Sequence, residues 1–120
     1  GLNTYSFVDA DGVDVLPLLS QGDFNALALA TFLALGASNK TTSHFGFVML
    51  DDPSQSLASD HKRRLAILLN EMSHDRQIVI STMDTEFAQL VGTTSNHAQT
   101  QYTFTDWSTA EGPSVTRGSL

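Results

Sequence analysis

The sequence predicts an α/β fold, a βαβ parallel sheet flanked by helices, on three observations. Residues 45–50 are a short, unbroken apolar run, and residues 77–81 carry Ile78, Val79 and Ile80 at their centre, both of the length and composition of covered strands. Between them Leu65, Leu68, Leu69 and Met72 recur at helical spacing, with Lys62, Arg63 and Arg64 toward solvent. Ahead of both, residues 23–35 are dominated by Ala and Leu, the pattern of a helix buried on most faces. A strand, a long helical crossover and a second strand favour parallel pairing.

Each element can be placed in order. Residues 4–8 and 13–18 read as short strands joined by the turn-forming Asp9, Ala10, Asp11 and Gly12, a hairpin signal. Ser20, with Asp23 three residues on, forms a capping-box variant at the start of the Ala/Leu helix, and Gly36 is placed to end it. Residues 37–43 are a polar loop. The strand at 45–50 is expected to be covered on both faces and is stopped by Asp51, Asp52 and Pro53. Ser59 or Asp60 caps a helix running to about Met72, and a short helix covers 84–90. Tyr102 to Trp107 alternates like a half-buried terminal strand, with Phe104 and Trp107 packed on the sheet. Beyond it the residues turn to Ser, Thr, Gly and Pro, so 1–111 is expected to be the folded domain and 112–120 a flexible tail.

Composition narrows the function. A chain of 120 residues, 41% hydrophobic and 16% charged, suffices for one packed domain. Six basic against 13 acidic residues give a net charge of −7, which argues against a broad basic surface for nonspecific nucleic-acid binding. The absence of cysteine removes disulfides and thiolate metal sites. The longest apolar run, 26–35, is broken by Thr31 and falls far short of the roughly 20 residues that span a bilayer, so no membrane contact is expected. The chain begins at Gly1 with no initiator Met, which suits an excised fragment. His44, His61, His74 and His97 share no metal-ligand spacing and read as scattered surface or loop positions. No nucleophile-elbow motif is present.

The chemistry concentrates in three segments. Leu50-Asp51-Asp52-Pro53 closes an apolar strand, and in open α/β sheets the carboxyl ends of strands are where one carboxylate reaches a magnesium ion and a second orients a water. Taken alone, Asp-Asp-Pro serves equally well as a strand terminator and turn. Upstream, Leu19-Ser20-Gln21-Gly22-Asp23-Phe24-Asn25-Ala26-Leu27 places a serine at a helix N-terminus, where its hydroxyl and free N–H groups attract anionic oxygens or simply cap the helix. Downstream, Gln77-Ile78-Val79-Ile80-Ser81-Thr82-Met83-Asp84 ends the second strand.

In that order and spacing, from Leu19 to Asp84, the three segments resemble the signature, the joined Walker B and D-loop, and the switch segment of ABC-type ATPase heads of the SMC, RecF, RecN and SbcC kind. The resemblance implies a partial P-loop NTPase lobe, the C-terminal half of such a head. It implies nucleotide contacts from Ser20, Gln21, Gly22 and Asp23, with Ser20 and Gly22 reaching the γ-phosphate of ATP held by an opposite head. Asp51 takes the magnesium position and Asp52 that of the hydrolytic carboxylate. Ser56, Leu57 and Ala58 fall on the D-loop, and Thr82 and Met83 on the switch segment. ATP and Mg²⁺ are implied for the complete head, with an N-terminal P-loop lobe and a second head as partners. DNA is implied indirectly, in repair or chromosome maintenance, and with it a cytoplasmic or nucleoid-associated setting.

The sequence also departs from that family. Asp52 stands where glutamate is usual, one methylene shorter, and a shift of about 1 Å at a reacting water costs on the order of a hundredfold in rate. Ala58 replaces the usual D-loop aspartate, Gln21 the first signature glycine, and Met83 the switch histidine; methionine cannot donate a hydrogen bond, leaving Thr82 and Ser81 as hydroxyl donors there. The two lysines, Lys40 and Lys62, follow Asn39 and His61, so neither completes a P-loop. The chain alone is therefore expected to bind ATP weakly and to turn none over. Lost catalysis, leaving a nucleotide-gated or structural dimerisation module, is the alternative these departures raise.

Overall fold

The computed structural model describes residues 6–38, 46–97 and 99–119. The order of elements is α1 (Gln21–Ser38), β1 (Phe47–Asp51), α2 (Ser59–Met72), β2 (Gln77–Ser81), α3 (Thr85–Thr94), β3 (Thr100–Ser108) and β4 (Gly112–Ser119), preceded by a 3₁₀ turn at Leu16–Leu18. β1 and β2 pair in parallel, Phe47 opposite Gln77 through Asp51 opposite Ser81, with α2 as the crossover. This is the expected βαβ unit, as a two-stranded sheet.

The core sits on one side of that sheet. Leu50 of β1, Leu57 of the following turn, Leu65, Ala66 and Leu69 of α2, Phe87 of α3 and Leu33 of α1 are buried together, with Val48, Ile78 and Ile80 packed against them. Alternation then places Met49 and Val79 on the opposite face, 67% and 41% exposed. The expectation of a strand covered on both faces therefore holds for one face only. Helix α1 differs in the same direction: Leu33 is buried, but Phe24 and Phe32 are 47% and 56% exposed. Its apolar residues circle the helix, and the other described elements cover one side of it. Gly36 lies inside α1, where its carbonyl accepts from Arg76 Nη1 at 3.4 Å.

Both ends of the chain depart from expectation. Thr4 and Tyr5 of the expected first strand, and Phe45 of the next, lie outside the described residues. What remains of the first hairpin is a single antiparallel bridge, Val8 with Asp14. The Asp9 carboxylate accepts from the Asp11 and Val13 amides, each at 2.9 Å, and Gly12 takes φ +81° to close the turn. Pro17, with no amide hydrogen to give a ladder, turns the second expected strand into the 3₁₀ turn.

At the other end, 112–119 is strand β4 rather than a loose tail, paired antiparallel with β3. Gly112 supplies the positive φ of the turn at +76°, Pro113 sits at the strand's beginning where proline is tolerated, and Val115 and Thr116 suit the pleated ladder. A bulge between Phe104 and Asp106 shifts the alternation by one, so Tyr102, Phe104 and Trp107 share a face. Phe104 and Trp107 do not pack on the β1–β2 sheet; they are 69% and 68% exposed on a separate hairpin.

Candidate functional site

The carboxyl ends of β1 and β2 bring the expected Walker B and switch residues into direct contact. Asp51 ends β1 opposite Ser81, whose hydroxyl donates to Asp51 Oδ1. Asp52 follows in the left-handed region at φ 44°, its amide donating to the Ser81 carbonyl at 2.8 Å. Thr82 Oγ1 donates to Asp52 Oδ1 at 3.0 Å. Each carboxylate is thus steadied by one hydroxyl from the end of the neighbouring strand. Asp51 is exposed and Asp52 half-buried, so an oxygen-rich edge faces outward.

Such a donor set suits a hard cation such as Mg²⁺, which keeps several waters and takes one or two carboxylates plus substrate phosphates. Among the described residues no group of three or more His, Asp or Glu side chains forms a protein-only metal cage. Two carboxylates with two hydroxyls fit the magnesium role in a nucleotide complex. Asp51 would hold the ion, whose chemistry when bound is to neutralise phosphate charge.

The turn after β1 is built to meet helix α1. It is closed by the Gln55 amide on the Asp52 carbonyl at 3.1 Å and the Leu57 amide on the Ser54 carbonyl at 3.0 Å, with Ser56 at φ 64°. This aims the Ser56 carbonyl at Gly22: a Cβ at Gly22 would lie 2.5 Å from that oxygen, a distance real Cβ atoms do not occupy. Asn25 Nδ2 adds a bond to the Gln55 carbonyl at 3.3 Å. The expected signature and D-loop segments are therefore in backbone contact within one chain. Leu57 is buried in the core, while Ala58 precedes α2 as an N-cap with no side-chain hydrogen bond.

The capping box at Ser20 is formed. Ser20 Oγ accepts from the Asp23 amide at 3.2 Å and donates to Asp23 Oδ2 at 2.6 Å, and Asp23 Oδ2 accepts from the Ser20 amide at 3.3 Å. The Ser20 hydroxyl, with its backbone amide, holds the Asp23 carboxyl below its ordinary range. Gln21 reaches along the helix to Asn25 at 3.0 Å. At the switch segment Met83 is 92% exposed and contributes no polar contact, whereas Thr82 is the residue that touches Asp52.

Two clusters escaped the sequence reading. Ser54, only 1% exposed, donates to Asp84 Oδ2 at 3.0 Å; Lys62 Nζ lies 2.8 Å from both Asp84 and Glu86. Asp84 also caps α3 through the Phe87 amide at 3.1 Å, and its own amide donates to Thr82 Oγ1 at 3.0 Å. Lys62, then the Phe87 amide, hold the Asp84 carboxyl down at about 2. Lys62 is thus the brace between α2 and α3 rather than a solvated charge, and through Asp84 it reaches the Thr82 that steadies Asp52. The second cluster is the His74–His97 pair, whose ring centroids lie 4.5 Å apart. Neither shows as a motif, because the partners are 22 to 30 residues apart.

No protein-family model and no curated protein sequence matches the chain. Among solved structures, one described under the structural biochemistry of ATP-driven dimerization and DNA-stimulated activation of SMC ATPases superposes with a TM-score of 0.62 at 18% identity, over 87% of this chain and 55% of that one. The fold is that of part of an SMC ATPase structure, and the chain spans about half of that structure's length. Among the described residues, no helix is long and apolar enough to cross a membrane.

Proposed function

We propose that this chain is the C-terminal lobe of an SMC-like ATPase head, which supplies Walker B carboxylates in cis and a signature serine in trans to ATP and Mg²⁺. The observation that carries the reading is the joint at the sheet's end: Asp51 and Asp52 on β1, held by Ser81 and Thr82 on the outgoing β2, with the α1 N-terminus tied to the intervening turn through Gly22. Asp51 takes the magnesium ion, and Asp52 orients the hydrolytic water. Ser20 and the first-turn amides of Gln21, Gly22 and Asp23 meet the γ-phosphate held by a second head, the Ser20 hydroxyl exchanging its Asp23 partner for phosphate. The turn of Ser56, Leu57 and Ala58 runs along the seam between heads, with the Leu57 side chain turned into the core. The missing partner is a P-loop lobe, supported by the exposed apolar side chains of Met49, Val79, Phe24 and Phe32 and by the part of the SMC structure the chain leaves uncovered. Action on DNA, in repair or chromosome maintenance, belongs to the assembled protein.

A second reading has its own observation. Thr82 donates to Asp52 and Met83 offers no hydrogen, so the switch segment holds the short carboxylate without an evident γ-phosphate contact. In that reading the head dimerises on nucleotide without efficient turnover.

One experiment addresses both. The chain is completed with its P-loop lobe and assayed for ATP hydrolysis and for ATP-dependent dimerisation, beside Ser20→Arg and Asp52→Asn. Loss of a positioned general base costs about a hundredfold or more, so Asp52→Asn should abolish turnover while dimerisation persists, and Ser20→Arg should abolish both. Dimerisation without turnover in the unaltered protein selects the second reading; turnover unchanged in both variants contradicts the assigned roles.

A further inference from the structure

Helix α2 ends in a turn that carries His74, and the loop after α3 carries His97; the two Nε2 atoms lie 3.4 Å apart. His74 Nδ1 lies 3.2 Å from the Asn70 carbonyl and 3.1 Å from the Glu71 carbonyl. Carbonyl oxygens only accept, so Nδ1 carries the proton and the neutral ring keeps its lone pair on Nε2, toward His97. An imidazole oriented by an Nδ1–H to a backbone carbonyl is the arrangement that prepares histidine as a metal ligand.

The position of His97 is fixed by the chain around it rather than by its ring. Its amide donates to Ser95 Oγ at 3.2 Å, and the neighbouring Asn96 amide donates to the Asn70 side-chain carbonyl at 3.3 Å, so the loop is stitched to the same last turn of α2 that orients His74. Two nitrogens bound to one tetrahedral zinc at 2.0–2.1 Å stand about 3.3–3.4 Å from each other. That matches the observed separation. The rings meet edge to face at 81°, and both residues are exposed, so a modest rotation of the His97 ring aims its lone pair at the point His74 already addresses.

We propose that His74 and His97 form a two-imidazole site for a borderline divalent transition ion, zinc by geometry, with solvent completing the coordination. Nitrogen donors select Zn²⁺, Ni²⁺ or Cu²⁺ over Mg²⁺, which separates this site from the oxygen-lined edge at Asp51 and Asp52. With two protein ligands the ion is exchangeable, and its effect is to clamp the end of α2 to the loop that follows α3. The proposal is independent of the ATPase reading.

The test is titration of the 120-residue chain, freed of metal with chelator, with ZnCl₂ alone, followed by calorimetry and thermal unfolding, and with CuCl₂ followed by electron paramagnetic resonance. One zinc per chain should bind, raise the Tm by roughly 3–5 °C at saturation, and be insensitive to excess Mg²⁺. His74→Ala and His97→Ala should each weaken zinc binding at least tenfold, while His61→Ala leaves it unchanged. The copper signal should report two imidazole nitrogens in the unaltered chain and one in either single variant. Absence of zinc binding, equal affinity in the three variants, or a copper signal unchanged by removing His97 would overturn the site.

Discussion

Helices α1 and α2 are both rich in leucine, yet the chain treats them differently. In α2 the apolar residues form a stripe, Leu65, Ala66 and Leu69 are buried, and the polar face carries Lys62 to its carboxylates on α3. In α1 the apolar residues circle the helix, Leu33 is the buried one, and Phe24 and Phe32 stay exposed. A helix apolar all round belongs in an interior. Among the described residues α2 buries three apolar side chains and leaves Ile67 and Leu68 43% and 39% exposed, whereas α1 buries Leu33 and leaves Phe24 and Phe32 outward, as the sheet leaves Met49 and Val79.

The sharpest way to break that contrast is to remove a side chain that the comparison ranks as fully used. Leu69, 2% exposed at the centre of the core, should cost about 2–5 kcal/mol as Leu69→Ala, a loss of transfer energy plus an unfilled cavity. Urea unfolding measures it. A value under about 1 kcal/mol would mean the core is not the organising contact of this lobe.

Gly22→Ala probes the close backbone contact between α1 and the turn after β1. Alanine ordinarily stabilises a helix relative to glycine by about 1 kcal/mol, but here its Cβ would press on the Ser56 carbonyl. A net loss of about 1–3 kcal/mol is expected from the forced separation, with the turn at 53–57 gaining amide exchange. A stabilised variant would show that the helix and the turn are not in backbone contact.

The brace between α2 and α3 gives a smaller, pH-coded effect. Asp84 has its carboxyl depressed to about 2 from an ordinary 3.8, so its contribution is present above pH 4 and is lost as pH falls from about 4 toward 2. Asp84→Asn keeps a side-chain oxygen for the Phe87 amide and removes the charge facing Lys62. It should be less stable at pH 7 by about 1 kcal/mol or less, the range of a partly exposed ion pair, and the difference should close by pH 2. A difference constant across that range would assign the effect to packing.

How far the sequence revealed all this follows the range of the interactions. Residues 59–72 and 77–81 were legible because their periodicity is local, and Asp51, Asp52 and Ser20 because each sits at the end of such an element. Lys62 was misread as solvent-facing because its partners Asp84 and Glu86 come from another helix, and the pairing of His74 with His97 is equally nonlocal. Residues 112–119 were misread because Ser, Thr, Gly and Pro mark a loop unless a partner strand is known, and β3 supplies it. The strands were expected to be covered on both faces because their composition says so. That composition suits a sheet covered on both faces, and among the described residues one face is covered.

The smallest expected effect is therefore the most discriminating. Met49→Ser places a polar side chain on the open face of β1, and in the chain alone it should change stability by no more than about 0.5 kcal/mol, as an exposed substitution does. If the proposed P-loop lobe covers this face, the same change should weaken lobe association severalfold, because a methionine buried there would lose its apolar contact area. Leu69→Ala should do the reverse, lowering the stability of the chain while leaving the open face chemically unchanged in the folded state. If Met49→Ser destabilised the isolated chain as strongly as Leu69→Ala, the β1–β2 sheet would already be covered on both sides, and the contrast between its two faces would collapse.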